Sequence, residues 1–213
     1  NVFLGNAAGV SSTTGNQNIF IGRVAGYSNT DGESNVYVGT NSGTSNASGS
    51  DNIFMGTFSG RYADSVYTSI YIGKETGHNS KGDNNIFMGN SAGYENMKGN
   101  YNLFFGHSAG YHNQDGSRNI FMGYHSGFDN IDGFNNVFIG DSTGFSNTSG
   151  YYNVFLGNLA GKSNTEGFQN IAIGAASGKR NTTGNRNVMI GIGAGLENTT
   201  GEMNVIMGNL AGR

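Results

Sequence analysis

A five-residue pattern returns along the whole chain at intervals of 17 residues. Each copy opens with Asn, continues with an aliphatic, usually an aromatic and then a second apolar residue, and ends in Gly, as in Asn18-Ile19-Phe20-Ile21-Gly22. Branched and aromatic residues that end in Gly predict a short strand. The residues between copies are mostly small and polar, which predicts turns. A strand and several turns at a fixed short period indicate a solenoid of stacked units.

The chain divides into thirteen units, and we number the residues within each unit as positions 1 to 17. The units start at residues 1, 18, 35, 52, 69, 85, 102, 119, 136, 153, 170, 187 and 204, and the last is truncated. No change of composition separates them, so we predict one continuous domain over residues 1-213. Because the chain begins and ends inside a repeat, we expect a segment of a longer protein whose caps and targeting signals lie elsewhere.

Glycine is the most regular residue of the repeat. It occupies positions 5 and 9 in all thirteen units and position 15 in eleven, which leaves only Gly193 outside these columns. Glycine at positions 5 and 9 permits corners with positive φ, and Asn at position 12 with Gly at position 15 suits a type I turn. The predicted fold is all-β, a parallel β-solenoid or β-roll with 17 residues per coil and about 12.5 coils, stacked about 4.8 Å apart.

Asparagine forms two further columns, at positions 1 and 12. Stacked side-chain amides at this spacing can hydrogen-bond along the column, so we interpret both columns as structural ladders. The position 1 ladder includes Asn18, Asn35, Asn52, Asn102, Asn119, Asn136, Asn153, Asn170 and Asn187. The position 12 column includes Asn29, Asn46, Asn96, Asn113, Asn130, Asn147, Asn164, Asn181 and Asn198.

Both faces of the predicted strand are apolar. Positions 2 and 4 point to one face and position 3 to the other. Soluble proteins rarely leave a continuous apolar patch in water. Either a second strand of the same coil or another chain must therefore cover the second face. Positions 6 to 17 are only weakly apolar, which favours another chain. We expect copies of the chain to pack side by side, with the aliphatic pair facing inward and the aromatic column meeting a neighbouring subunit. The aromatic column consists of Phe3, Phe20, Tyr37, Phe54, Tyr71, Phe87, Phe104, Phe121, Phe138 and Phe155.

The five-residue motif, most plainly Asn170-Ile171-Ala172-Ile173-Gly174, resembles the repeat of YadA-like heads in trimeric autotransporter adhesins. Similar Asn- and Gly-rich repeats occur in some phage tail fibres and bacterial surface proteins. The resemblance implies a left-handed parallel β-roll, three chains side by side, and an adhesive or spacer role outside the cell. The present unit is longer than the usual head repeat, and its central residue is mostly Phe in place of Ala.

Composition narrows the possible partners. The net charge is -3 with 12% charged residues and no Cys, which argues against a nucleic-acid partner and leaves no thiolate metal site. No apolar run reaches the length of a membrane span. The four His residues, His78, His107, His112 and His125, do not share one column, so we predict no metal site and no cofactor.

Acidic residues near the turns raise the question of a calcium site. Asp31, Asp115 and Asp132 share a turn position, but calcium-binding solenoids carry Asp in every unit, and we interpret these three as solvated turn residues. No unit contains a nucleophile with a matching base, so we predict that the chain is not an enzyme.

Several aromatic and irregular positions are candidates for surface binding. Position 10 repeatedly carries an aromatic ring, which we expect either to bind a glycan or host surface or to pack at a subunit contact. Units 4 and 5 break the repeat, and a changed corner there suggests either a binding face or drift in a tolerant loop. The candidate surface residues are Tyr27, Tyr94, Tyr111, Phe128, Phe145, Arg61, Tyr62 and Tyr67.

The sequence thus predicts a structural segment of an extracellular fibre or surface adhesin. Its partner would be itself, as a homo-oligomer or filament. The alternatives are a phage tail-fibre shaft and a glycan-binding module. An ice-binding solenoid is a third possibility, but the Thr pairs at positions 13 and 14, such as Thr182-Thr183, are interrupted in other units.

Overall fold

A computed structural model of the chain, which describes residues 1–212, consists of thirteen short parallel strands and no helix. All strands join one sheet in sequence order, and each pairs with the next at identical repeat positions, as in Val154 with Ile171. The prediction of an all-β parallel β-solenoid is confirmed, with about 12 turns of about 17 residues. The strands are β1 Val2–Leu4, β2 Ile19–Ile21, β3 Val36–Val38, β4 Ile53–Met55, β5 Ile70–Ile72, β6 Ile86–Met88, β7 Leu103–Phe105, β8 Ile120–Met122, β9 Val137–Ile139, β10 Val154–Leu156, β11 Ile171–Ile173, β12 Val188–Ile190 and β13 Val205–Met207.

The corners expected at the glycine columns are present. Gly191, at position 5 of coil 12, has a φ of 132°, and Gly195, at position 9, has a φ of 61°. A Cβ atom on Gly191 would overlap the carbonyl oxygen of Gly208 in the next coil. A further corner lies at position 7, where Ala7 and Val24 adopt φ values of 55° and 62°. Gly193 belongs to that corner, with a φ of 62°, so the one glycine outside the three columns also sits at a turn.

The interior of the solenoid is built around the aromatic column. Its rings stack face to face from Phe3 to Phe155, with centroids 4.6 to 5.0 Å apart and planes within 9° of parallel. All of these rings except Phe3, at the open end, are buried. In coil 11 the column continues with Ala172. The Met189 side chain of coil 12 reaches the space beside Gly178 that a ring of coil 11 would fill.

The expected orientation of the strand was wrong. We expected positions 2 and 4 to face inward and the aromatic column to meet a neighbour, but the rings at position 3 face inward and the aliphatic residues face outward. Small residues at position 8, such as Ala25 and Ala109, and Gly at position 9 leave room for a flat ring on the inner side. Rings also stack well at the spacing of the coils, whereas the outward pair needs no interior space.

The two Asn columns line the rest of the interior. At position 1, the Asn136 side-chain oxygen accepts from the backbone N–H of Asn153 in the next coil at 2.9 Å. The position 1 amides also donate to the position 15 carbonyl of their own coil, as from Asn136 to Gly150 at 2.7 Å. At position 12, the amides donate to one another from Asn198 to Asn96 at 2.7 to 3.0 Å. These bonds satisfy polar groups that would be costly to bury unpaired.

Coils 4 and 5 interrupt the position 12 ladder. Ala63 and Ser80 replace Asn there, and both are buried. The Tyr71 hydroxyl of coil 5 donates to the shorter Ser80 side chain at 2.7 Å. In coil 3 the Asn46 amide is turned toward the Tyr37 hydroxyl at 2.5 Å. Since Asn46 no longer donates to coil 2, the buried side-chain oxygen of Asn29 has no partner among the described residues.

Candidate functional site

The outward face of the sheet is apolar over the full length of the rod. Positions 2 and 4 carry Val, Ile, Leu or Met in every coil, apart from Phe105. In the central coils Ile86 is 36% exposed, Met122 37% and Ile139 40%. Thirteen strands of three residues span roughly 58 Å by about 10 Å, or on the order of 600 Å² in projection. A patch of this size is at the upper end of what single soluble chains expose.

The chemistry of this face restricts what it can bind. It offers no charged or hydrogen-bonding side chain, and the strand carbonyls and amides are already used in the ladder between coils. It can therefore recognise a partner only by shape and by burial of apolar surface. The outward rows repeat at the strand spacing, so a second face with the same spacing can match them row for row.

Five rings at position 10 form an outer ladder, which consists of His78, Tyr94, Tyr111, Phe128 and Phe145. Neighbouring centroids are 4.7 to 5.2 Å apart and the planes lie within 15° of parallel. Because the rings stack on each other, their faces are covered and only their edges reach solvent. Lys162 lies over the last ring, with its Nζ atom 5.9 Å from the Phe145 centroid.

The outer ladder changes the interpretation of the predicted surface aromatics. A sugar stacks on an open ring face, and the inner members of this ladder present none. Burial raises the pKa of the Tyr94 and Tyr111 hydroxyls, and it lowers the pKa of His78. Sequence reasoning missed His78 as a member of the ladder, although its place at position 10 was a sufficient signal.

The other aromatic candidates are scattered. Tyr27 is 42% exposed, and the adjacent residues at position 10 are Val10 and Thr44. Tyr67, at position 16, is 40% exposed. A shorter stack at position 16 joins Phe134, Tyr151 and Phe168 at 4.9 Å.

The remaining His residues form local pairs. His112 Nδ1 lies 3.0 Å from the Asp129 carboxylate, and its Nε2 lies 4.0 Å from Glu95. His107 and His125 are in contact, with ring centroids 5.6 Å apart. Burial, aided by the charge of His107, lowers the pKa of His125. Over residues 1–212 no three His, Asp or Glu side chains converge as metal ligands would.

Coils 3 to 6 border an open groove of about 450 Å³ on the outer surface, at the break in the repeat. It lies between positions 11 and 13, and its volume is in the range of small-molecule sites. The predicted surface residue Tyr62 lines it, whereas Arg61 lies against Tyr62 on the side. The lining residues are Ser45, Tyr62, Asp64, Asn79, Lys81 and Met97.

Comparison of the chain with protein-family models, with curated protein sequences and with solved structures yields no match. Within residues 1–212, no helix has the length and apolarity needed to cross a membrane.

Proposed function

We propose that this chain is a structural segment of an extracellular fibre or surface adhesin, in which it supplies a stiff rod and a repeated surface for self-assembly. Each coil contacts mainly its neighbours, as expected for a solenoid whose length grows with the number of coils. The stacked rings, the Asn ladders and the backbone bonds between coils all run along the rod axis. Such a molecule is suited to spanning a distance.

The observation that carries the proposal is the continuous apolar outer face of the sheet. The interior is already filled by the stacked rings, so this face is not needed for folding of the single coil. A stable protein–protein contact buries about 800 Å² on each partner, and the outer face provides an area of that order. We infer that a second copy of the chain covers it, since a copy repeats the same rows at the same spacing.

The resemblance of the Asn170–Gly174 motif to YadA-like heads supports a location outside the cell and an assembly of three chains. A phage tail-fibre shaft would use the same architecture and the same apolar face. The outer ladder gives little support to a general glycan-binding module, because its rings cover each other.

The proposal is tested by the oligomeric state and cross-section of the particle. Sedimentation and electron cryo-microscopy should show side-by-side copies with the outward rows of β6 to β8 at the contact. Met122→Lys, which places a charge in the middle of the face, should shift the particle to single chains. Ile131→Lys is the matched control, because position 13 already accepts Lys81, and it should leave the assembly intact.

Two results would contradict the proposal. One is a wild-type chain that sediments as a single copy at every soluble concentration. The other is equal assembly of the Met122 and Ile131 variants, which would place the contact on another face. Circular dichroism of both variants confirms that each remains folded.

A further inference from the structure

The groove lies where one rung of backbone hydrogen bonding is missing. In regular coils the N–H groups of positions 13 to 15 donate to the position 13 carbonyl of the next coil. Those of Thr148 and Gly150, for example, donate to the Thr165 carbonyl at 2.9 and 3.1 Å. Within residues 1–212, Ala47 and Asp64 at position 13 make no such backbone bond, and the carbonyls of Asp64 and Lys81 accept none. Of these residues, Asp64 and Lys81 line the groove.

The missing rung follows from the sequence of coils 4 and 5. Val66 stands where other coils have Gly at position 15, and coil 5 lacks one residue between Lys81 and Gly82. The Val66 N–H donates to the Asn46 side chain at 3.0 Å, and the Lys81 N–H donates to the Asn96 carbonyl at 3.0 Å, one position away from the usual partner. The turn is therefore displaced over two coils, which opens the groove.

Tyr62 presents its ring differently from the rings of the outer ladder. It stands nearly perpendicular to His78, with an interplanar angle of 85° and centroids 5.0 Å apart. The Arg61 guanidinium lies 4.9 Å from the Tyr62 centroid and 4.9 Å from the Phe58 centroid, so it covers one face of the Tyr62 ring. Tyr62 is 45% exposed and lines the groove, which leaves its other face for a ligand.

The polar side chains around this ring are complementary to hydroxyl groups. Asp64 offers acceptors, Lys81 offers donors, and the Asn79 amide offers both. Over residues 1–212, neither Asp64 nor Lys81 takes part in an ion pair. The Asp64 carboxylate accepts one hydrogen bond, from the Ser65 hydroxyl at 3.3 Å, and a carboxylate can accept several, so both side chains can still bond a ligand. The two opposite charges offset each other, which favours a neutral ligand over an anion or a cation.

We propose that the groove between coils 3 and 6 binds a neutral saccharide, with one pyranose ring stacked on Tyr62 and its hydroxyls bonded to Asp64, Asn79, Lys81 and the open backbone groups of position 13. A pyranose has an apolar face that suits an aromatic ring and a rim of hydroxyls that can replace the water on the open groups. Within residues 1–212 the site is single, because no other coils there have the displaced turn. It is independent of the self-assembly proposed above.

The test is binding of methyl glycosides of glucose, galactose, mannose and N-acetylglucosamine to the 213-residue chain, measured by saturation-transfer difference NMR and by titration of the Tyr ring signals. At least one glycoside should bind. Tyr62→Ala should weaken its binding at least tenfold, whereas Tyr62→Phe should retain most of it. Tyr67→Ala, an exposed Tyr of the same coil that lies outside the groove, is the control and should bind like the wild type.

The proposal is overturned if none of the four glycosides binds, or if Tyr62→Ala binds as well as Tyr67→Ala. Tyr62 and Tyr67 are both exposed, so we expect each variant to retain its fold, and thermal melting checks this. The two proposals can fail separately. A chain that assembles but binds no glycoside contradicts only the saccharide site, and a chain that binds a glycoside but does not assemble contradicts only the structural role.

Discussion

The side-chain oxygen of Asn153 accepts two hydrogen bonds from Asn170, 17 residues away, one from its backbone N–H at 2.9 Å and one from its amide at 3.2 Å. Asn153 thereby holds one coil to the next from inside the rod. Asn153→Ala should lower the free energy of unfolding by about 1–3 kcal/mol, because the buried N–H of Asn170 loses its acceptor. Asn153→Ser should be milder, since Ser69 at the same position still accepts from the Asn85 N–H at 3.1 Å. Denaturant titration measures both, and equal losses would count against the ladder as the cause.

Two glycines of coil 12 should respond very differently to the same substitution. Gly191→Ala forces a Cβ onto the Gly208 carbonyl at a φ of 132°, and we expect a loss of about 3 kcal/mol or more. Gly193→Ala should cost only about 1–2 kcal/mol, because other coils carry Ala at the same φ, as at Ala7 and Ala176, and the Cβ would meet only the end of the exposed Leu210 side chain. Thermal melting of the two variants compares them directly. Similar melting temperatures would show that the backbone contact at position 5 is easily relieved.

Truncation of an inward ring should be far more harmful than truncation of its outward neighbour. Phe121 is fully buried between two stacked rings, so Phe121→Ala should destabilise the chain by about 3–5 kcal/mol. Ile120→Ala removes a partly exposed side chain and should cost about 1 kcal/mol or less in the single chain. Chemical denaturation at low protein concentration makes the comparison, and the reverse order would restore the orientation first expected from the sequence.

His78 should make the rod less stable in mild acid. Burial, with a smaller contribution from the Arg61 charge, lowers the pKa of His78 below its usual value, although Asn79 and Glu75 act in the opposite direction. As the pH falls below about 6.5, the unfolded chain takes up a proton that the folded chain does not. The free energy of unfolding therefore decreases as the pH falls, until the pKa of the folded state is passed. Above neutral pH His78 is uncharged in both states, so its titration no longer changes the stability.

His78→Phe should reduce the loss of stability between pH 7 and pH 5, because Phe can occupy the same stack without titrating. Tyr94→Phe alters the next ring of the ladder and should leave the pH dependence as it is in the wild type. Urea titrations at several pH values give the comparison. Identical pH profiles for the wild type and His78→Phe would contradict the assignment.

The repeat alone was sufficient to predict the coil, its length and the corners at positions 5 and 9, because a period of 17 residues fixes which residues stack. The corner at position 7 was not predicted, since residues other than glycine, such as Ala7 and Val24, adopt the positive φ there. The facing of the strand was not predictable from apolarity, since positions 2, 3 and 4 are all apolar. A better signal was available in coil 5, where Tyr71 at position 3 coincides with the shorter Ser80 at position 12. Their hydrogen bond shows that these two positions meet inside the coil.

The groove could be anticipated only as an irregularity. Ala63, Val66 and the missing residue of unit 5 mark the break in the sequence, and a changed corner was expected there. The groove opens, and Tyr62 turns out of line with the other rings, because the displacement of the turn is distributed over two coils. A rearrangement that involves two particular coils cannot be recognised from the periodicity of the sequence.

The same break also bears on how the chain finds its fold. Because the coils are nearly identical, a coil can pair during folding with a coil other than its sequence neighbour. Such a mispaired stack would preserve most of the ring stacking and most of the Asn ladders. The Asn46 side chain accepts from the Val66 N–H at 3.0 Å, a bond that requires coil 3 to meet coil 4. Within residues 1–212 no other pair of coils offers this match. The contact between coils 3 and 4 thus fixes the register of the stack, and the coils on either side can add to it in the correct order.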